Sequence, residues 1–340
     1  MKALFIGGTG TISLAISKML IGQGCELYLL NRGNRKVELP ENKVTYIHCD
    51  INDEEETKKL IDGMIFDVVV DFIAFVPEQL ERDYRLFKGK TKQFIFISSA
   101  SAYQKPLSDY RITEGTPLSN PYWAYSKNKI ACEDYLMKMY RENGFPITIV
   151  RPSHTYDERS IPLGVHGNKG SWQVAKRMLD GKPIIIHGDG TSLWTMTHNS
   201  DFAKGFIGLM DNTRAIGEAV QITSDESLTW NQIYHSVASA LGVELKAVHV
   251  ASSFLDSCSN YNFKGGLLGD KANTVVFDNS KLKRLVPGFV ATTRFDQGIK
   301  KTIDFILNHP EYQVLDEEFD QWCDSVIHAI NRAIDEVKNK

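Results

Sequence analysis

Cysteine is scarce and scattered in this chain. Five cysteines in 340 residues, Cys25, Cys49, Cys132, Cys258 and Cys323, form an odd set with wide spacing and no C-x-x-C. That pattern excludes a disulfide framework and a zinc knuckle, and it fits a reducing compartment. No apolar run approaches the roughly 20 residues of a membrane span. No long block of one charge occurs and the formal net charge is −3. Neither nucleic acid nor a membrane surface is therefore the expected partner, and a small-molecule substrate is. Met1-Lys2 and the apolar residues after it resemble a secretion leader at first. Gly7 to Thr11 interrupts that run, however, and no small-residue cleavage site follows cleanly. The segment reads as strand and helix, and the expected location is the cytoplasm.

What is present, at 42% hydrophobic residues, is enough to bury a full core. Short apolar runs at Ala3–Ile6, Glu26–Leu30, Val44–His48, Asp67–Phe72, Phe94–Ser98 and Ile147–Val150 alternate with polar or helix-like stretches. Near-continuous apolar strands separated by helices predict an α/β, Rossmann-type doubly wound parallel sheet covered on both faces. Residues 1–155 read as the dinucleotide-binding domain, with 190–225 returning to it through a helix at Ser200–Met210 and a strand at Ala219–Thr223. Residues 156–190 and 226–315 read as a smaller mixed α/β region for the substrate, and 316–340 as a charged C-terminal helix.

Gly7-Gly8-Thr9-Gly10-Thr11-Ile12-Ser13 follows the first strand and opens a helix. Glycines there let the backbone turn sharply and approach a pyrophosphate, while the helix start offers unpaired N–H groups. Gly7, Thr9, Gly10, Thr11 and Ile12 are the expected phosphate-side contacts, and Ser13 stands where a small residue packs helix on strand. The second strand ends in Asn31-Arg32 rather than an acidic residue, with Arg35 and Lys36 close behind. Arginine suits a 2′-phosphate, so NADP is favoured over NAD. Asp50-Ile51 would flank the adenine, and Phe72, Ile73 and Ala74 would line the cofactor.

Tyr125 precedes Lys129 by four residues, one helical turn on one face. A neighbouring ammonium favours phenolate over phenol, which equips a tyrosine to pass a proton near neutral pH. Upstream, Ser98-Ser99-Ala100-Ser101 ends a strand where such folds bind ligands. The Ser99 hydroxyl could hold a substrate oxygen or cap a turn.

Taken together, Gly7–Ser13, Asp50-Ile51, Ser98–Tyr103, Tyr125–Lys129 with Glu133, Arg151-Pro152 and Gly188-Asp189-Gly190 leading to His198–Asp201 resemble an extended short-chain dehydrogenase/reductase of the NAD(P)-dependent epimerase/dehydratase family. The resemblance spans about residues 1–210. It implies that Ser99 is the catalytic hydroxyl, Tyr125 the acid/base and Lys129 its partner and a ribose contact. It also implies that Ser98 and Arg151-Pro152 lie beside the nicotinamide, and that the protein is a homodimer.

Three departures separate this chain from better-known members. Ala100 and Ser101 replace the acidic pair of 4,6-dehydratases. His154 replaces an Asn, and Trp194 stands nearest to where an Arg meets the diphosphate. The changes at His154 and Trp194 speak against a nucleoside-diphosphate sugar and resemble the branch containing chloroplast stem-loop RNA-binding proteins, although that branch often lacks the Tyr/Lys pair. Ser101, His154 and Trp194 are the substrate candidates. His166, Trp172 and His198 could also line the pocket, and each of these aromatic side chains equally fits a packing role. No metal site is expected, because Asp53–Glu56 reads as an acidic helix start.

The function expected is epimerisation or oxidoreduction of a secondary alcohol or ketone on a sugar or sugar-nucleotide-like substrate. The alternatives are an NADP-dependent carbonyl reductase of a non-nucleotide substrate, and a non-catalytic, cofactor-holding RNA-binding protein.

Overall fold

The computed structural model describes residues 1–34 and 39–339, with the backbone alone at Glu41. The chain divides into two compact units: residues 1–155, 197–225 and 277–292, and residues 156–196, 226–276 and 293–340.

The first unit is built on β1 (Lys2–Ile6), β2 (Glu26–Asn31), β3 (Val44–His48), β4 (Phe66–Asp71), β5 (Thr91–Ile97) and two later strands, Ile147–Pro152 and Ala219–Ile222. They form one seven-stranded sheet in the order Ala219–Ile222, Ile147–Pro152, β5, β4, β1, β2, β3. Every neighbouring pair is parallel. The order reverses direction beside β1, so the carboxyl ends of β1 and β4 border a crevice.

Side chains alternate between the two faces because the strand period is two residues. Phe5, Leu29, Val70 and Ile95 pack with Ile16 and Leu20 of α1 (Thr11–Gly22), and with Phe202 and Phe206 of the helix Asn199–Leu209. Leu4, Val69, Phe94 and Phe96 pack on the other face, with Leu80 and Phe87 of α3 (Pro77–Phe87) and with Cys132 and Leu136 of α4 (Ala124–Asn143). Between β3 and β4, Asp53 caps α2 (Glu54–Leu60) by accepting from Glu56 N at 3.0 Å, so the acidic run there starts a helix. Residues 277–292 join this unit because Leu282 and Phe289 bury themselves in the first of these two layers. Periodicity does not mark that return.

The second unit has a two-stranded parallel pair, Ile184–His187 beside Ala247–Val250, and the helices Trp172–Leu179, Trp230–Leu241, Phe295–Asn308 and Glu317–Lys338. Among the described residues no helix is long and apolar enough to cross a membrane.

Candidate functional site

The loop between β1 and α1 turns through Gly7 at φ +100° and Gly8 at φ +84°, conformations that L side chains rarely adopt. A Cβ on Gly8 would stand 2.6 Å from Leu29 Cδ2, and one on Gly7 2.9 Å from Ile73 Cγ2. The loop is tied from behind: Gly7 N donates to Leu30 O at 2.9 Å and Ser17 Oγ to Gly8 O at 3.3 Å. Gly10 N donates to Ser13 Oγ at 2.8 Å, and Ser13 is buried where helix meets sheet.

This loop floors a cavity of about 490 Å³. Of the residues expected to hold a dinucleotide, Gly7, Thr9, Gly10, Asn31, Arg32, Asp50, Ile51, Phe72 and Ile73 line it. A glycine turn and the ends of β1, β2 and β4 among its walls fit a dinucleotide. Thr11 and Ile12 instead begin α1. Ala74 is packed in the core, and it is its carbonyl that has a part to play in the site. Arg32 Nη1 lies 3.9 Å from Asp50 Oδ2, with the two side chains 67% and 45% exposed, so the arginine is free to turn toward a ligand. Arg35 and Lys36 lie outside the described residues.

The cavity has two walls that periodicity does not reveal, Gln79 and Arg82 of α3. Gln79 Oε1 accepts from Phe75 N at 2.6 Å and Val76 N at 3.2 Å, which shapes the entry to the helix. Arg82 Nη1 donates to Asn52 Oδ1 at 2.7 Å.

Tyr125 is half-buried in the first turn of α4. Its ring centre lies 4.9 Å from that of Trp123 and 6.1 Å from that of Phe75. Lys129 Nζ lies 5.7 Å from the Tyr125 ring centre and 4.7 Å from those of both Phe75 and Phe96. The ammonium donates to Ala74 O and Ile97 O at 2.7 Å each, bridging the ends of β4 and β5. It is 2% exposed, and burial pulls its pKa down to about 8, against smaller opposing effects of Cys132, Asp71 and Glu133. The helical spacing thus brings Tyr125 and Lys129 together as expected, and the tertiary fold dries the ammonium.

Ser99 accepts from Ser101 N at 3.2 Å, capping the short turn after β5. Its Oγ also lies 2.9 Å from Ser101 Oγ, which in turn accepts from Ser126 Oγ at 2.8 Å. A line of three hydroxyls therefore joins Ser99 to the residue beside Tyr125. Ser126 carried no signal of its own, because a serine in a helix is unremarkable until its partner across the fold is known. Ser101 is itself 4% exposed, within this line.

Ser98 and Arg151 are drawn to Glu133 of α4: Ser98 Oγ donates to it, and Arg151 Nε reaches its two oxygens at 3.0 and 3.2 Å. Arg151 also lies over the Tyr103 ring at 4.9 Å. Both polar side chains are buried, and Pro152 ends its strand next to them. His154, two residues on, is half-buried in the same unit. Trp194 is in the second unit, 3% exposed and stacked on Trp230 with ring centres 5.8 Å apart. That is a packing position. His166 and Trp172 are buried or nearly so in that unit as well, His166 Nδ1 lying 2.8 Å from Gly167 O. His198, in the first unit, accepts from Ser200 N through Nδ1 at 3.3 Å. The second unit has its own groove, but polar side chains in it face one another: His249 Nε2 is 2.8 Å from Asn231 Oδ1, and Arg294 pairs with Asp296.

The sheet order and the glycine turn define a dinucleotide-binding α/β protein of the Rossmann type. Residues 3–223 match the model of the NAD dependent epimerase/dehydratase family, and the chain belongs to that family, which is one of enzymes. The chain is 23% identical, over 85% of its length and 80% of the relative's, to 2′-dehydrokanamycin reductase of Streptomyces kanamyceticus. It is 26% identical to the chloroplast stem-loop binding protein of 41 kDa b of Arabidopsis thaliana, over 73% of this chain and 65% of that protein. A UDP-glucuronic acid 4-epimerase from Bacillus cereus, solved in complex with NAD, superposes with a TM-score of 0.71 over 91% of this chain and 99% of its own, at 20% identity. At that identity the likeness concerns the fold.

Proposed function

We propose that this chain is an NAD(P)-dependent epimerase or oxidoreductase that acts on a secondary alcohol or ketone of a sugar or sugar-nucleotide-like substrate. The observation that carries this reading is the Tyr125–Lys129 pair with its dried ammonium, in the same compact unit as the glycine-floored cavity. Gly7, Thr9, Gly10, Asn31, Arg32, Asp50 and Ile51 would hold the dinucleotide, and when bound it supplies or accepts the hydride.

The protein's own part is proton transfer and orientation. Tyr125 takes the proton of a substrate hydroxyl, or returns one to a carbonyl oxygen, and Lys129 keeps its phenolate accessible. Ser99 holds the same oxygen through its Oγ, which the hydroxyls of Ser101 and Ser126 support. Epimerisation needs the proton returned to the same oxygen after the ring carbon has changed face. Net reduction needs it given once. Both use one tyrosine. Arg32, able to leave Asp50, supports preference for the 2′-phosphate of NADP.

Replacing Tyr125 with Phe removes only the hydroxyl. Turnover of a panel of UDP-sugars and free keto sugars should fall by about 10²–10⁴-fold while NADPH binding, followed by its fluorescence, stays within about twofold. A wild-type protein that turns over none of the panel, yet binds RNA with steep salt dependence, would replace this reading with the binding-protein one. The stem-loop binding relative motivates that comparison.

A further inference from the structure

Two acids lie fully buried beneath the cavity wall, Asp71 at the end of β4 and Asp83 on α3, both 0% exposed. One guanidinium serves them. Arg82 Nε and Nη2 donate to Asp83 Oδ1 at 2.9 and 2.8 Å, and Nη2 lies 3.5 Å from Asp71 Oδ2. Asp71 Oδ1 accepts from Ile73 N at 2.5 Å and Ala74 N at 2.8 Å. The two remaining oxygens, Asp71 Oδ2 and Asp83 Oδ2, are buried and receive no hydrogen bond from a donor, and the two carboxyls interact with each other.

We propose that these carboxyls share one proton, which rests on Asp83, and that ionised Asp71 is a positioning residue for Lys129. The assignment follows from the donors. Asp71 Oδ1 faces two backbone N–H donors, so a proton there would have no acceptor to meet. Asp83 can give a proton through Oδ2 to Asp71 while Oδ1 still receives Arg82. Burial and the neighbouring Asp71 charge push the Asp83 carboxyl well above its usual range.

Asp71 then reaches Lys129 by two routes. It holds the N–H of Ala74, the residue whose carbonyl accepts from Nζ, and its charge opposes the desolvation of the ammonium. Of the other groups facing Lys129, only Glu133 adds a charge of the same sign, and it is shared with a guanidinium. Glu133 is paired with Arg151, burial pushes the Cys132 thiol up to about 12, and the remaining neighbours are the rings of Phe75, Phe96 and Tyr125. Tyr135, which faces Asp83 from α4, is likewise pushed up to about 12 and stays neutral.

The inference rests on Lys129 being the partner of Tyr125, but its test needs no turnover. The Nζ resonance of Lys129 in ¹⁵N-lysine-labelled full-length protein is titrated without ligand. Asp71→Asn should lower the Lys129 midpoint by about one pH unit, a tenfold change in proton affinity. Asp83→Asn should leave the midpoint within about a quarter of that shift, because it replaces a neutral group by a neutral group. An unchanged midpoint in folded Asp71→Asn, or an equal shift in Asp83→Asn, overturns the proposal. If Asp71→Asn does not fold, infrared difference spectra decide. Wild type at pH 7 should show a buried protonated-carboxyl stretch that Asp83→Asn removes, and its persistence in that variant refutes the assignment.

Discussion

Arg177 and Lys129 are the two most deeply buried cations among the described residues, and they are treated oppositely. In the second unit Arg177, 1% exposed, donates to Asp320 and Asp324 at 2.7 Å each, and to Pro183 O at 2.9 and 3.0 Å. Lys182 binds the same two carboxylates from outside. In the first unit Lys129 has carbonyl oxygens and ring faces for company, with no carboxylate in contact among the described residues. Arg177 is held charged and clamps the helices Trp172–Leu179 and Glu317–Lys338 together. Lys129 is left on the edge of deprotonation, at about 8. A buried charge that is fully paired serves packing, whereas one left half-compensated beside a cavity is poised for chemistry.

The largest effect that tests this contrast is catalytic. Lys129→Met should cost turnover at least about 10²-fold, because the phenolate loses its cation. Its melting temperature should change far less than its rate, as read by calorimetry on the same preparation.

A second test reads the charge itself. The folded-state pKa of Lys129 is depressed from 10.5 to about 8, so between these values the unfolded chain binds the extra proton. Stability from this group is therefore lowest below about pH 8 and rises as pH climbs toward 10.5, by on the order of 3 kcal/mol in all. Urea unfolding of wild type and Lys129→Met at pH 7 and pH 9.5 isolates it. The gap in unfolding free energy should move in wild type's favour at the higher pH. A constant gap would mean that Lys129 is not desolvated as described.

Arg177→Leu should behave in the opposite way. It strands two carboxylates and should cost about 2 kcal/mol, less than a fully buried pair because Asp324 is half exposed. NADPH binding should be untouched. Arg32→Ala is the smallest change, within about 0.5 kcal/mol in stability since its pair with Asp50 is exposed. It should nonetheless weaken NADPH relative to NADH in a fluorescence titration, and equal losses for both would refute the NADP preference.

The parts of the molecule legible from sequence are those whose cause is local. Gly7 and Gly8 announce a turn because other residues pay a steric penalty at positive φ, and apolar runs such as Asp67–Phe72, which forms the strand Phe66–Asp71, announce strands because both faces of a parallel sheet are covered. The Tyr125–Lys129 spacing is legible because helical geometry alone makes the two neighbours. Arg82 and Asp83 were not legible, since R-D in a polar helix reads as a solvated face until β4 places Asp71 against it. Trp194 could equally have stacked on a substrate or in a core, and only its contact with Trp230 distinguishes these.

By itself, then, the sequence determined the Rossmann alternation, the glycine turn and which residues share the first face of α4, because backbone sterics and periodicity act over a few residues. The tertiary structure decided which charges are dry, which are paired and which hydroxyls touch. Those depend on dielectric and on partners tens of residues away, such as Ala74 for Lys129 and Ser101 for Ser126.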